Sequence, residues 1–246
     1  MDSGYYAACT ALMSRARALE TIADNLANAS TSGYRGRHNV FQSILARAEA
    51  ANLSPLNQAI NRFGVLSGTR LDLTQGTLER TGNEQDLGLE GPGYFAVQTA
   101  GGTVYTRSGN FHVDLQNRLV TTAGDPVLGK NGPATVVGGP LAVSPDGTLS
   151  VNGAVAGQLA VVEFPPGTQL ESLGSTYYTA PTGLAKAAET TRVRQGMVES
   201  SNVNPVDGVV ELITVQREAE MMQRVLAMIN SDINKVAAQE LPRVSG

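Results

Sequence analysis

The sequence predicts an α+β fold, in which the N- and C-terminal helices pair in a coiled-coil-like α layer and the central part of the chain forms an antiparallel all-β domain. Two observations predict it: apolar stripes with heptad spacing at both ends, and an apolar period of two between them. Each stripe advances by three and four residues in turn, which keeps one narrow apolar edge facing a partner helix. The N-terminal stripe is Tyr5, Cys9, Leu12, Ala16, Leu19, Ala23 and Leu26, and the C-terminal stripe is Leu212, Val215, Ala219, Met222, Leu226, Ile229, Ile233 and Val236.

The first helix is expected over about residues 3–29, with Gly33 suited to a left-handed turn beyond its end. The last helix should begin at Pro205, because proline fits the first turn of a helix. Apolar spacing over residues 40–48 predicts a short second helix or a continuation of the first. Residues 52–68 show no clear period and indicate a linker with one strand at most.

From about residue 71 the apolar period is two, and glycine-rich turns recur at regular intervals. Hairpins are predicted around residues 94–106, 111–121 and 141–151, because turn residues separate two short alternating segments in each. Residues 159–164 form the most apolar segment and are expected to be a central strand. This pattern is typical of a compact antiparallel sandwich or barrel-like domain.

These elements predict a domain division with discontinuous ends. Residues 1–33 and 200–246 should form the terminal helical domain, and residues 76–190 the β domain. Residues 34–75 would connect the two domains, and residues 191–199 would lead back to the last helix.

Composition excludes several classes of protein. The formal net charge of -4 gives no reason to expect nucleic acid or an anionic membrane as partner. Tryptophan is absent and Cys9 is the single cysteine, so no disulfide can form within the chain. No apolar run reaches the roughly 18 residues that a membrane span needs, so membrane insertion is not expected. Because Asp2 follows Met1 without a basic and apolar leader, the chain is expected to be cytoplasmic or exported without a cleaved signal peptide.

Motifs that could carry catalysis are incomplete. Residues 124–130 match the glycine and lysine spacing of a phosphate-binding loop, but Asn131 stands where the loop needs Ser or Thr. The two histidines, His38 and His112, lie far apart and belong to no metal-binding pattern. We therefore expect no enzymatic activity, no catalytic residues, no cofactor and no metal site.

Three stretches of sequence form short signatures. The first, residues 22–35, holds an Asn-Leu-Ala-Asn core followed by Thr-Ser-Gly-Tyr-Arg. The second joins Gly-Pro-Gly-Tyr-Phe at residues 91–95 to Tyr-Thr-Arg-Ser-Gly-Asn-Phe at residues 105–111. The third, residues 195–206, reads Gln-Gly-Met-Val-Glu-Ser-Ser-Asn-Val-Asn-Pro-Val. Together and in this order they resemble the signatures of the axial proteins of the bacterial flagellum, the family of rod, hook and hook-associated proteins.

Within that family the chain is most similar to rod proteins that carry one β domain. Its first six residues resemble the proximal-rod members, whereas distal-rod members open with a more apolar stretch. Met197 stands where the family usually has leucine, and Asp24 where asparagine is common.

The resemblance implies a structural subunit of the proximal rod of the flagellar basal body, which assembles into a helical tube that transmits torque. It implies other rod proteins and copies of itself as partners, the flagellar export apparatus as a partner in transit, and a location in the rod that spans the periplasm. The alternatives are a distal-rod or hook-type protein, or a glycan-binding or enzymatic β domain with helical oligomerisation arms.

The residues expected to drive assembly come from the two stripes and from the signatures. Asn25 and Asn28 lie three apart at the end of the first helix, where asparagine can cap the helix or fix the register of a neighbouring one. The predicted assembly residues are Leu12, Leu19, Asn25, Leu26, Asn28, Thr31, Gly33, Tyr34, Asn202, Asn204, Leu212, Met222, Leu226, Ile229 and Ile233.

Overall fold

A computed structural model of the chain describes the backbone of residues 2–42 and 65–240. Within these ranges the chain folds into two compact units. We call residues 2–26, 37–42, 65–70 and 204–240 the helical unit, and residues 27–36 and 71–203 the β unit.

Both terminal helices are present, which confirms the predicted α+β class. Helix α1 spans Asp2–Ala27 and helix α2 spans Pro205–Glu240. The Asn204 Oδ1 accepts a hydrogen bond from the Val206 amide at 3.0 Å, so Asn204 caps α2 and Pro205 fills its first turn. Beyond the end of α1, Gly33 has a φ of 71°, the left-handed conformation that glycine adopts without strain.

The prediction of a helix over residues 40–48 is wrong where the structure describes it. Strand β1 spans Arg37–Gln42 and pairs with β2, Val65–Leu71, in a two-stranded sheet. A few apolar residues at helical spacing cannot outweigh a strand partner that satisfies the backbone. Residues 43–48 lie outside the described ranges, as does the predicted linker up to residue 64.

The remaining strands belong to the β unit, and each is antiparallel to its partners, as predicted. They are β3 (Leu78–Arg80), β4 (Leu87–Glu90), β5 (Tyr94–Thr99), β6 (Gly102–Thr106), β7 (Phe111–Val113), β8 (Leu119–Thr121), β9 (Leu128–Gly129), β10 (Gly132–Pro133), β11 (Leu141–Val143), β12 (Thr148–Val151), β13 (Ala154–Gln158), β14 (Val161–Glu163), β15 (Glu171–Leu173), β16 (Tyr177–Thr179), β17 (Lys186–Ala187), β18 (Arg192–Gln195) and β19 (Met197–Glu199).

The largest sheet has six strands in the order β15-β16-β6-β5-β14-β17. The order β11-β12-β13 forms a three-stranded sheet, and the pairs β3-β19, β4-β18, β7-β8 and β9-β10 form smaller ones. The predicted hairpins are present as β5-β6, β7-β8 and β11-β12. Residues 191–199, which the sequence suggested as a connector, contain β18 and β19, and the predicted domain boundaries as a whole stay a prediction.

The apolar segment at residues 159–164 is not a central strand. Only Val161–Glu163 is a strand, and it lies next to the edge of the six-stranded sheet, beside the two-residue β17. Leu159 leaves that sheet and bridges to Gly129, which explains its burial without a central position. The centre of the sheet is occupied by β5 and β6.

One apolar core fills the β unit. Its fully buried members come from strands of several sheets, so it ties those sheets into one body. The core consists of Leu87, Leu89, Phe95, Phe111, Leu119, Val127, Ala134, Val136, Leu141, Leu149, Val151, Leu159 and Val193. Phe95 and Phe111 meet edge to face, with ring centroids 5.1 Å apart.

Candidate assembly site

The helical unit is held together by contacts between α1 and α2. Ala11 packs with Met222, whereas Ala18 and Ile22 pack with Val215 further back along α2. Because the α1 positions ascend as the α2 positions descend, the two helices are antiparallel along this contact. Leu12 and Leu226 flank the first cluster, and Leu19 and Leu212 flank the second.

The predicted stripe of α2 matches its buried side, since Val215, Ala219 and Met222 are all buried. The predicted stripe of α1 matches the buried side of that helix only in part, through Leu12 and Leu19. Ala16 and Ala23 are exposed, and the buried line runs through Ala11, Arg15, Ala18 and Ile22. That line also alternates steps of four and three, and small alanines on it let the helix axes approach closely.

An ion pair crosses the helix contact. The Arg15 Nε lies 3.1 Å from the Glu218 Oε2, and the Arg15 side chain is 8% exposed. A buried cation needs a partner, so this pair favours one register of α1 along α2. The apolar stripes could not reveal it, because Arg15 lies between the leucines that define the predicted seam.

The outer side of α2 is apolar in its first turns. Val206, Val209, Val210 and Ile213 follow the spacing i, i+3, i+4 and i+7, and each is at least 41% exposed. This spacing places them on one stripe, opposite the side that carries Val215, Ala219 and Met222. We call these four residues the outer stripe of α2.

Asn25 bonds within its own chain. Its Nδ2 donates to the Arg37 carbonyl at 2.8 Å, and its Oδ1 accepts from the Arg37 amide at 2.9 Å. The Asp24 carboxylate holds the Arg37 guanidinium at 2.7 Å. Asn28 accepts a hydrogen bond from Thr31 in the turn after α1. Both asparagines thus position the start of the segment that follows the helix, and their proposed role toward neighbouring subunits stays a prediction.

In the β unit, the three sequence signatures meet at one buried ion cluster. The Glu199 carboxylate lies between two guanidiniums, with Oε1 2.6 Å from Arg35 Nη2 and Oε2 3.0 Å from Arg107 Nη1. Each of these side chains comes from a different signature, and all three side chains are at most 2% exposed. We call Arg35, Arg107 and Glu199 the signature triad.

The triad contains two cations and only one anion. Each guanidinium therefore also donates a hydrogen bond to a backbone carbonyl. Arg35 Nη1 donates to the Thr74 carbonyl, and Arg107 Nη2 donates to the Gly91 carbonyl at 2.6 Å. Arg107 also lies over the Tyr94 ring, 4.8 Å from its centroid. Burial lowers the pKa of the Arg107 guanidinium, an effect that the Glu199 carboxylate opposes.

Tyr178 joins the first signature to the six-stranded sheet. Its hydroxyl accepts from the Arg35 amide at 3.0 Å and donates to the Gly33 carbonyl at 3.4 Å. Burial raises the pKa of the Tyr178 hydroxyl above its ordinary value, at which tyrosine is already protonated and able to donate at neutral pH. A Cβ on Gly33 would lie 2.1 Å from the Ser108 nitrogen, so this position has room for glycine alone.

Asn202 is the member of the predicted set with the most partners in the β unit. Its Oδ1 accepts from the Gly36 amide at 2.7 Å, and its Nδ2 donates to the carbonyls of Asp72 and Thr74, both at 3.0 Å. Tyr34 is 2% exposed. Leu26 is half-buried, and Ile229 and Ile233 lie on α2, with their side chains outside the described part of the structure.

The signature triad itself was missed by sequence reasoning. Its three charges lie in stretches that were recognised as signatures, but residues 35, 107 and 199 are at least 72 positions apart, so nothing in the local pattern pairs them. The available signal was the lone charge in each of the second and third signatures, Arg107 and Glu199, which stands among uncharged and glycine residues.

Among the described residues, no group of three or more His, Cys, Asp or Glu side chains is arranged to hold a metal ion. The same part of the chain contains no helix that is long and apolar enough to span a membrane.

Family models match the chain in three places, and these places contain the signatures. Residues 6–35 match the flagella basal body rod protein family, and residues 88–158 match the D1 domain of flagellar hook protein FlgE/F/G. Residues 194–239 match the C-terminal family of the flagellar basal body rod FlgEFG proteins.

Full-length relatives agree with these matches. The flagellar basal-body rod protein FlgF of Caulobacter vibrioides is 30% identical over 100% of both chains. FlgF of Mesorhizobium japonicum is 33% identical over 89% of this chain and 90% of its own. The rod protein FlgG of Bacillus subtilis is 30% identical over 85% of this chain and 88% of its own. The chain therefore belongs to the flagellar basal-body rod protein family, as a FlgF-like structural subunit of the rod.

Proposed function

We propose that this subunit occupies the proximal part of the rod, where it assembles with copies of itself and with other rod proteins into a helical tube that transmits torque. The α1–α2 pair would form the coiled-coil-like layer of that tube. Two observations support the proximal position: the match to a FlgF relative over 100% of both chains, and the resemblance of the first six residues to proximal-rod members. The comparisons do not favour the hook-type or enzymatic alternatives.

One observation carries the assembly part of this proposal: α2 has two apolar sides. The first side is buried against α1, through Val215, Ala219 and Met222. The outer stripe of α2 lies on the opposite side of the helix, and its side chains are exposed in the described part of the chain. A helix that is apolar on both sides needs two neighbours, and a second neighbour from another subunit would supply the missing one.

In this proposal the outer stripe of one subunit meets a different surface of the next subunit. Contacts between unlike surfaces that do not close into a ring produce open helical arrays. A rod subunit needs this kind of contact. The proposal includes passage through the flagellar export apparatus without a cleaved signal peptide and a final location in the rod that spans the periplasm.

Val210→Asp tests the proposal. Val210 is 60% exposed, so an aspartate should change the free energy of unfolding by no more than about 0.5 kcal/mol. In the assembled rod it would place a charge in an apolar contact, which costs several kcal/mol. We therefore expect a folded protein that is absent from purified basal bodies, whereas gold-labelled wild-type subunit is found at the proximal end of the rod.

Val137→Asp is the matched control, because Val137 is 65% exposed but lies in the β unit and is no part of the outer stripe. This variant should enter the rod and support swimming. Normal incorporation of Val210→Asp would show that the outer stripe is not an assembly contact, and wild-type label confined to the distal end would contradict the proximal position.

A further inference from the structure

The chain passes between the helical unit and the β unit four times, at residues 26/27, 36/37, 70/71 and 203/204. Three segments of the β unit border these passages. They are residues 27–36, the segment that begins at residue 71, and the segment that ends at residue 203. We call them the bordering segments, and the signature triad and Asn202 connect all three.

The first and last bordering segments are joined directly. The Gly33 amide donates to the Glu199 carbonyl at 2.7 Å, next to the ion pair between the Glu199 and Arg35 side chains. Three residues after Gly33, the Gly36 amide donates to the Asn202 Oδ1 at 2.7 Å. Both backbone and side-chain bonds therefore hold these two segments together.

The middle bordering segment is joined to both others. The Asp72 amide donates to the Gly36 carbonyl at 2.8 Å, which connects it to the first segment. The Gly76 amide donates to the Glu199 Oε1 at 2.9 Å, and Asn202 donates to the carbonyls of Asp72 and Thr74. Every pair among the three segments is thus bonded, and the connections form a closed triangle.

Arg107 anchors this triangle to the body of the β unit. It follows β6 directly, and it connects the Glu199 carboxylate to the Gly91 carbonyl and the Tyr94 ring. Charge-assisted hydrogen bonds of this kind are shorter and stronger than neutral ones, and burial removes the water that could replace them.

We infer that the signature triad and Asn202 form a clamp that makes the three bordering segments move as one rigid body. Force that travels along the chain between the two units then loads all four passages together, and no single segment is pulled out of the β unit. This inference rests on the proposed function, because the force in question is the torque that a rod subunit transmits.

An ordinary stabilising core cluster would behave differently from a clamp. Its loss would lower the stability of the β unit as a whole, and all its amides would exchange faster together. Loss of a clamp opens the bordering segments first, at a cost below that of global unfolding. Hydrogen exchange resolved by residue separates the two.

The test is hydrogen exchange on the purified full-length protein with Glu199→Gln. We expect exchange at the Gly33, Gly36 and Gly76 amides to rise by about tenfold or more beyond any global change. The Gly76 amide loses a charged acceptor, and the Gly33 and Gly36 amides lie in hydrogen bonds between segments that the Glu199 ion pairs no longer hold together. Leu149→Ala is the matched control, since Leu149 is 1% exposed in the core and is no part of the clamp. It should accelerate exchange only through global unfolding.

Two further variants keep the test decisive. If Glu199→Gln does not fold, Asn202→Ala removes the uncharged part of the clamp and should accelerate exchange at Gly36 and not at amides of the central sheet. A triple variant with Arg35→Met, Arg107→Met and Glu199→Leu should regain global stability, because apolar residues can replace a buried ion cluster. Its bordering segments should still exchange fast.

Wild-type protection of the bordering segments in the triple variant would overturn the clamp, as would a uniform increase in Glu199→Gln. Neither measurement requires assembly. The hydrogen-exchange test can therefore contradict the clamp while Val210→Asp still blocks incorporation into the rod. Equally, the clamp can be supported while Val210→Asp enters the rod normally.

Discussion

Replacing Glu199 with glutamine should lower the free energy of unfolding of the β unit by about 3–5 kcal/mol. The Glu199 carboxylate is fully buried between the guanidiniums of Arg35 and Arg107, and glutamine keeps its shape but removes its charge. Two buried cations would then share only carbonyl and ring partners. Urea denaturation of the purified protein, followed by circular dichroism, measures the change.

Glu90→Gln is the control for this prediction. Glu90 pairs with Arg194 at 2.7 Å, but both side chains are about half exposed, so the loss should not exceed about 1 kcal/mol. If both substitutions lowered the free energy of unfolding equally, burial of the triad would add nothing to its contribution to stability.

Replacing Met222 with aspartate should separate α2 from α1 and abolish rod assembly and motility. Met222 is 1% exposed and packs with Ala11, so an aspartate there would bury a charge with no cation beside it in the cluster. That burial costs several kcal/mol, more than a helix pair of this size can offset. The β unit has its own core and should keep its fold.

Gln223→Asp provides the comparison for Met222→Asp, since Gln223 is the next residue of α2 and is exposed. Helix content by circular dichroism should fall in Met222→Asp and stay unchanged in Gln223→Asp. A Met222→Asp protein with full helix content that enters basal bodies would refute the packing of α2 against α1 described above.

The sequence was sufficient for the helices and for the buried side of α2, because heptad spacing reports directly on which side of a helix is apolar. It was only partly right on α1, because two adjacent lines of that helix carry similar spacing. The leucines of the predicted stripe lie at the edge of the contact, and Ala11 and Ala18 are the fully buried residues that pack with α2. Small residues make contact only where two helix axes come close together, and the distance between the axes cannot be read from the residue types alone.

In the β unit, hairpins were predictable because their turn residues are local signals, whereas strand order was not. Residues 159–164 are rich in apolar side chains, yet β14 lies beside the edge of its sheet and Leu159 is buried through another contact. The helix predicted at residues 40–48 failed for a related reason, since β1 is stabilised by β2, a partner more than 20 residues away in sequence.

The signatures located the candidate site without explaining it. Asn202 and Gly33 were predicted as assembly residues, and the structure places both around the signature triad. Glu199 could not be paired with Arg35 from the sequence, because only the folded chain brings residues 35, 107 and 199 together. Ion pairs between residues so far apart produce no periodic pattern in the sequence.

The most direct test of the assembly claim is the accessibility of the outer stripe of α2 before and after assembly. Ile213 is 46% exposed, and Ile213→Cys in a Cys9→Ala background places one thiol on the outer stripe. This thiol should react readily with a maleimide reagent in the purified subunit and be protected in intact basal bodies. Equal labelling in both states would show that the outer stripe stays exposed in the rod, and would contradict the account.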